Sequence, residues 1–589
     1  MTVESVQERI RLIRRLVEGA RSFNINEIPL PASGRKLTLS AAQKARAWGE
    51  FIPGAARRYS GQHYYNLYVH IPFCRSRCTF CIYDSARHKS RGRADDYIDF
   101  LAAQAGYFSK TFDGEAFQNV HIGGGTPSIL EEDQLRTLFD ALFGAFAFDK
   151  MASKVIECNP DSVTAGKAGL MRAYGFNKIS MGVQSLNADV LRGTGRRYQT
   201  RGSVMKAIEI LDKEGVASIN CDLMVGLAGD SGPSFMKSLK ELMEMGPSTI
   251  MLTKVQPPGH YLKKHWGGSY RRYIEFFDGE FTGAVREMFE LASDFGYGVD
   301  NPCVNELGWR FWKKGFVPSY DTARPYYCTG GEAPSSCLGI GSSSKSRIFG
   351  SMMIEQRKGG DGPSFHENEP LYRADTIDER YEIWRHIFSQ ISKNRSVSKP
   401  RFEALCGDAI ENLYGYVLDE LAGLGVVEMD GSGDEIRFTP EGTRDLFVYS
   451  RLFLDRPTLI SSLAHADRAE LRVQAGDQAL TLRIEHIREG ETYAGKEGDL
   501  GLVLKPSGKS AGDPAVRDLA RKIIEGAFRK IAQGRPWVSA LEVADQLKEK
   551  AGVMGRALPA GIELKIEVCS ILTLQPGRIE LALLKGRHG

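Results

Sequence analysis

The stretch YVHIPFCRSRCTFCIYDS, Tyr68 to Ser85, places three of the chain's ten cysteines within eight positions. Cys74, Cys78 and Cys81 form C-x3-C-x2-C directly after the apolar, β-rich run NLYVHI (66–71). Soft thiolates select iron–sulfur clusters or zinc. Three are one too few for a closed tetrahedral zinc site. The spacing by itself leaves two other readings, a zinc site completed from elsewhere or three unrelated buried cysteines. A [4Fe–4S] cluster held by three thiolates keeps one iron free for an outside ligand. The amine and carboxylate of an amino acid can chelate that iron.

Downstream, NVHIGGG (119–125), SKVIECNP (153–160), NKISMGVQS (177–185), ASINCDLMVGL (217–227) and STIMLTKV (248–255) read as strands. Helix-patterned pieces such as RGSVMKAIEILDKEG (201–215) and PSFMKSLKELMEMG (233–246) lie between them. Strands alternating with helices predict an α/β fold of βαβ units on a mainly parallel sheet. Six or so units make a barrel or partial barrel, with its chemistry at the C-terminal strand ends. Each polar or glycine-rich cluster just quoted lies at such an end.

Four regions follow from the pattern: an N-terminal helical segment (1–60), the barrel (61–370), a helical and winged module (371–455) and a small α+β domain (456–589). Val6, Ile10, Ile13 and Val17 give the first segment helical amphipathicity, without a signal peptide's continuous apolar core. In the third region RFEALCGDAIENLYGYVLDELAGLG reads as helical, and a hairpin with a Gly/Ser tip follows. Asp430, Asp434 and Glu435 surround that tip and repel phosphate, so the wing is read as structural. In the fourth, AELRVQAGDQALTLRIEHI alternates like a hairpin turning at Gly476-Asp477.

At 42% hydrophobic and 25% charged residues the chain reads as an ordinary soluble globular protein. A net charge of +4 over 589 residues, with no long Lys/Arg run, gives no case for nucleic acid. The short basic clusters are read as solvated faces. No apolar run is long enough to span a membrane. We therefore expect a cytoplasmic chain with reduced cysteines, where clustered ones serve metal or catalysis.

YVHIPFC (68–74), IGGGTPS (122–128), ECNP (157–160), GFNKISMGVQSLNADVL (175–191), NCDLMVGL (220–227) and LGIGSSS (338–344) occur in an order that resembles the radical S-adenosylmethionine (SAM) superfamily. More narrowly they resemble its branch related to oxygen-independent coproporphyrinogen III oxidase, over roughly residues 61–455. The resemblance implies a [4Fe–4S] cluster on Cys74, Cys78 and Cys81. The reduced cluster would donate an electron to the sulfonium of SAM, giving methionine and a 5′-deoxyadenosyl radical that abstracts hydrogen from a substrate.

The resemblance also implies roles for individual residues. Tyr68, Gly124, Gly125, Thr126 and Glu157 are expected around the first SAM, with Glu157 accepting from its ammonium. Phe80 is expected against the nucleotide or under the cluster. Gln184, Arg196 and Asp222 match positions contacting a second SAM, and an amide, a guanidinium and a carboxylate suit a zwitterion and ribose hydroxyls; Val255 and Ile340 are expected to be cofactor-binding. Each of these alone would more often be structural. Cys158 and Cys221, also at strand ends, read as small buried apolar residues. Cys303, Cys328 and Cys337 match no metal spacing.

The chain departs from the branch in three places. IYDSARHKS lacks the further cysteine expected after the third ligand, and the N-terminal segment differs. GRRYQT puts Tyr198 or Gln199 where a histidine is usual. The segment GHYLKKHWGGSYRRYIEFF (259–277) reads equally as a contact for a large or anionic substrate and as an amphipathic surface loop. The expectation is therefore a two-SAM radical enzyme that transfers a methyl or methylene unit to carbon in a small molecule or natural product. Tetrapyrrole decarboxylation, haem ring opening and haem trafficking are the alternatives. A reducing partner such as flavodoxin or ferredoxin is expected.

Overall fold

The computed structural model describes residues 35–58, 63–268, 270–299, 308–316, 334–356, 371–429, 433–440, 442 and 446–454, with the strands 468–475, 478–485, 503–506 and 562–567. The N-terminal helix expected before residue 24, Cys303, Cys328 and the Gly476-Asp477 turn lie outside them. The chain divides into two compact units. One comprises Leu30–Pro258 and Phe276–Asp455, the other Met1–Pro29, Gly259–Glu275 and Arg456–Gly589.

The first unit is built on a thirteen-stranded sheet. In chain order its strands are β1 (Lys36–Leu39), β2 (Tyr64–Ile71), β3 (Ala116–Gly124), β4 (Ala147–Cys158), β5 (Lys178–Gln184), β6 (Ser218–Val225), β7 (Thr249–Lys254), β8 (Tyr297–Val299), β9 (Gly308–Lys313), β10 (Ser335–Ile340), β11 (Lys345–Ile348), β12 (Met352–Gln356) and β13 (Tyr372–Thr376). They lie side by side as β1-β13-β12-β11-β10-β2-β3-β4-β5-β6-β7-β9-β8. From β10 to β7 every pairing is parallel, and both flanks are antiparallel. This is a partial β/α barrel with antiparallel extensions. Because β1 pairs with β13, the sheet runs across both expected boundaries, at 60/61 and 370/371.

Helices α1 (Ala41–Arg58), α2 (Arg91–Ser109), α3 (Glu132–Ala145), α4 (Ala165–Ala173), α5 (Arg201–Lys213) and α6 (Gly232–Met245) occur in this order along the chain, α2 to α6 connecting the parallel strands. The side chains of Ser90, Thr164, Thr200 and Ser231 accept from backbone N–H groups at the starts of α2, α4, α5 and α6. Each such cap is worth about 1 kcal/mol.

A parallel strand covered on both faces reads as a continuous apolar run, and β5 does not. Ile179, Met181 and Val183 are buried, whereas Lys178, Ser180, Gly182 and Gln184 remain half-exposed. Burying each large aliphatic side chain contributes about 1.5–3 kcal/mol. That face holds the sheet to its helices, and the other is left polar and open.

The segment read as one helical stretch from Arg401 is two helices, Lys399–Cys406 and Ile410–Gly423. The correction has a local cause: Gly407 takes φ 73°, which ends the first helix. The wing strands Val427–Met429 and Glu435–Phe438 pair antiparallel, and Ser396–Ser398 completes a small sheet. The buried Arg347 on β11 bonds both carboxylate oxygens of Glu382, on the helix Glu379–Asn394, at 3.0 and 2.8 Å.

In the second unit, Gly259–Trp266 is helical, so the basic aromatic stretch begins as a helix and not a loop. Its rings pack on one another, Tyr261 against His265 at 4.7 Å and Trp266 against Tyr273 at 5.0 Å. Strands 503–506, 478–485, 468–475 and 562–567 form a four-stranded antiparallel sheet in that order. Ala475 pairs with Gln478, as a two-residue hairpin requires.

Candidate active site at the parallel strand ends

The three cysteines follow β2 on a loop tied down at several points. His88 N–H donates to Cys74 O at 2.8 Å, and Thr79 N–H donates to Thr194 O at 3.1 Å. Ser76 Oγ donates to Gly195 O at 2.7 Å. All three thiols are half-buried. Burial raises the Cys74 thiol and pushes Cys81 up to about 11, despite the bond to Tyr83 O. Thiolates here need a cationic partner, and a cluster's iron supplies one. Among the described residues no three His, Cys, Asp or Glu converge as on a single metal ion.

The sequence reading missed what surrounds the thiols. Thr126 Oγ1 donates to Cys74 Sγ at 3.6 Å, and Arg196 Nη1 donates to Cys78 Sγ at 3.6 Å. Asn159, in ECNP, joins the two. Its Nδ2 donates to Thr126 Oγ1 at 3.3 Å and its Oδ1 accepts from Arg196 Nη2 at 2.9 Å. Donors to coordinated sulfur stabilise thiolate charge, so this chain of bonds fits a thiolate-held cluster. Arg196 is 4% exposed and also donates to Gly182 O and to Gln199 Oε1. Its guanidinium, expected at a second SAM, has protein partners at the cysteine loop, as a buried charged donor requires. Gln199, one of the departures, also donates to Val183 O at 2.6 Å. The other, Tyr198, lies under the Arg75 guanidinium at 5.0 Å.

Gly123 and Gly124 end β3 and Gly125 follows it, each against a different neighbour. A Cβ on Gly123 would meet Glu157 Cδ at 2.7 Å, and one on Gly124 would meet His70 Cε1 at 2.5 Å. One on Gly125 would meet Phe73 O at 2.6 Å. Gly124 also takes φ 107°, which side chains other than hydrogen rarely allow. Backbone therefore approaches closely here, and Gly124 N–H donates to Glu157 Oε2 at 3.2 Å. Glu157 Oε1 meets His121 Nε2 at 2.8 Å, while the carboxylate side chain keeps 39% exposure, so a ligand can reach it. Burial opposes its ionisation, but His121 and the Gly124 N–H outweigh it and hold the carboxyl below its usual range. It is an anion suited to an ammonium.

Tyr68 is buried, and its hydroxyl meets His70 Nδ1 at 3.0 Å; His70 Nε2 meets Asp84 O at 3.1 Å. Phe80, Val255 and Ile340 are buried at 8%, 1% and 0%, so the last two can offer a ligand little beyond backbone. Val255 N–H is already spent on Val225 O.

Gln184 closes β5 at φ 67° beside an irregularity in the β5–β6 pairing. Such bulges re-aim a side chain at a site. Its amide folds over Gly182, whose Cβ would meet Gln184 Nε2 at 2.8 Å. Asp222, half-buried on β6, accepts from Asn220 at 2.7 Å and from Ser180 at 3.1 Å. Burial raises its carboxyl, with the charge of Glu157 adding and both hydrogen bonds opposing. Asn220 in turn accepts from Thr249 at 2.8 Å, so one polar face runs across β5, β6 and β7. Cys158, Cys221 and Cys337 are buried at 3%, 0% and 0%, as small apolar residues are.

Residues 68–276 match the family model described as the radical SAM superfamily. Oxygen-independent coproporphyrinogen III oxidase of Escherichia coli (strain K12) is 34% identical over 185 residues, 31% of this chain and 40% of that protein. The chain thus spans well under half of the curated oxidases it matches. Heme chaperone HemW of Bacillus subtilis (strain 168) is 24% identical over 373 residues, 62% of this chain and 92% of that protein. The solved structure of the coproporphyrinogen III oxidase HemN from Escherichia coli superposes with a TM-score of 0.57 at 22% identity, covering 72% of this chain and 96% of that one. That likeness establishes the fold. The chain carries, over residues 68–276, a domain of the radical SAM superfamily, whose cofactors are a [4Fe–4S] cluster and S-adenosylmethionine.

Proposed function

We propose that this chain is an enzyme that cleaves SAM reductively and directs the resulting radical to a small-molecule substrate. The observation that carries the reading is the junction of the half-buried cysteine loop with the Gly124–Glu157 contact at adjoining strand ends. Cys74, Cys78 and Cys81 would hold the cluster, which supplies the electron for C5′–S cleavage. Glu157 holds negative charge where a methionyl ammonium would sit, and the glycines let that group approach the backbone. The buried Tyr68, Phe80 and Ile340 keep water from the space beside them.

Gln184 and Asp222 would take a second SAM, with the buried Asn220 and Thr249 holding Asp222 in place behind them. With that molecule as donor, the reaction is one-carbon transfer to a carbon centre. The names of the relatives support a second reading, tetrapyrrole chemistry or haem handling. The test is anaerobic: reconstitute the cluster, add dithionite and SAM, and quantify 5′-deoxyadenosine and S-adenosylhomocysteine, with Cys78→Ala as control. Deoxyadenosine from the wild type alone supports reductive cleavage. S-adenosylhomocysteine alongside it supports one-carbon transfer. Neither product from an intact cluster, together with haem binding, would move the assignment to the chaperone reading.

A further inference from the structure

The cysteine loop lies in a basic surface whose charges are not neutralised locally. Arg77, Arg87, Lys89 and Arg197 are exposed, and none has a carboxylate partner among the described residues. The backbone places all four around one loop. Arg87 lies opposite Cys74 in the short pairing of Phe73–Cys74 with Ala86–Arg87, and Lys89 follows His88, whose N–H donates to Cys74 O. Arg77 stands next to the ligand Cys78, its carbonyl 3.2 Å from where a Cβ on Gly195 would lie. Arg197 follows Arg196, which donates to Cys78.

Acidic groups bordering this surface are already engaged. Asp161 pairs with Arg75 at 2.8 Å, Asp189 pairs with Arg192, and Asp84 accepts from Ser343 at 2.6 Å. Ile82 and Tyr83, directly after the third cysteine, are 58% and 49% exposed. An apolar pair ringed by unneutralised cations has the make-up of a protein docking face, where aromatic residues and Arg dominate and charge guides the encounter.

We propose that this face docks an acidic low-potential electron-carrier protein, with Ile82 and Tyr83 at the centre of the contact and Arg77, Arg87, Lys89 and Arg197 around it. The inference rests on the radical SAM reading above and names the partner of the same site. One electron leaves the reduced carrier, which is oxidised by one electron, and the cluster is reduced by one; no bond to the protein forms or breaks. Tunnelling falls steeply with distance, and the carrier therefore has to seat on the surface nearest the cysteines. Between exposed charges the attraction is screened within about 8 Å at physiological salt, so docking weakens as salt rises.

The test uses the full, reconstituted chain and a purified flavodoxin as probe. Binding is followed by flavin fluorescence anisotropy at low and high salt, and electron transfer by stopped-flow absorbance of the reduced flavin. The variant Arg87→Glu/Lys89→Glu/Arg197→Glu should weaken binding by about tenfold or more and flatten its salt dependence. The neutral Arg87→Gln/Lys89→Gln/Arg197→Gln should fall between it and wild type, and Tyr83→Ser should weaken binding with the salt slope unchanged. Deoxyadenosine formed with dithionite, which needs no docking face, should stay within about twofold of wild type.

Unchanged flavodoxin affinity in both triple variants would overturn the proposal. So would tighter, salt-sensitive binding of a DNA duplex or of phosphatidylserine vesicles at these residues. If wild type makes no deoxyadenosine with dithionite, the radical SAM reading fails, and the docking face is still decided by the anisotropy measurements.

Discussion

Asn159 and Arg196 meet at 2.9 Å, and through them a bond path runs from Cys74 by way of Thr126 to Cys78. The cysteine loop alone does not fix the electrostatic setting of its sulfurs. β4 and the segment after β5 deliver that setting, from residues 85 and 118 positions further along the chain than the cysteines nearest them in the path.

Removing the link should loosen the cluster. Partners of metal ligands typically contribute about 10–100-fold in metal affinity or activity. Asn159→Ala is expected to lower iron and sulfide content after reconstitution and to shift the EPR signal of the reduced cluster. A wild-type signal at full iron loading would show that the link is incidental.

Gly124→Ala tests the close approach at the end of β3. The new methyl would meet the His70 ring and oblige alanine to hold φ 107°. Strain of this kind costs about 1–3 kcal/mol before any clash is counted. A lowered melting temperature and lost SAM binding are expected, whereas retained SAM affinity would remove the glycine from the ligand's surroundings.

Glu157 gives a pH expectation. Its carboxyl is held below the usual range in the folded chain. Its ionised form, and the stability linked to it, is therefore fully present above the unfolded-state value and is lost only as pH falls through the depressed folded value. SAM affinity should stay flat for this group across neutral pH and drop only at the acid end. Glu157→Gln should raise the Kd for SAM about tenfold or more at neutral pH, since a charge-assisted bond becomes neutral. An unchanged Kd in a titration calorimeter would release Glu157 from the role.

The Arg347–Glu382 pair, with side chains 0% and 1% exposed, links β11 to the helix Glu379–Asn394. Removing one member of a buried pair typically costs about 3–5 kcal/mol, because the other charge is left unpaired. Glu382→Ala should therefore lower the denaturation midpoint strongly. Arg347→Met/Glu382→Leu should recover much of the loss, and equal losses in the single and double variants would argue against the pairing.

Local pattern carried much of this protein. C-x3-C-x2-C after a strand, GGG at the end of the next strand and ECNP at the end of the third lie within short windows, where the alternation of β5 also shows. Helix caps and the glycine stop at Gly407 are local too. The sheet's edge at β1 was not legible, because its partner β13 lies more than 300 residues away and neither strand is long enough to announce a pairing.

The sequence by itself determined the clustering of three cysteines after β2, the strand-end placement of Glu157 and Gln184 and the mainly parallel sheet, because each depends on neighbours within one βα unit. The tertiary structure decided which of those residues face one another. It sent Arg196 to Cys78, set Glu157 between His121 and Gly124, and brought Arg197 to the loop that carries Arg77, Arg87 and Lys89. These contacts join segments that only the closing of the sheet brings within hydrogen-bond or charge range. A side chain's partner is a property of packing, and no spacing along the chain encodes it.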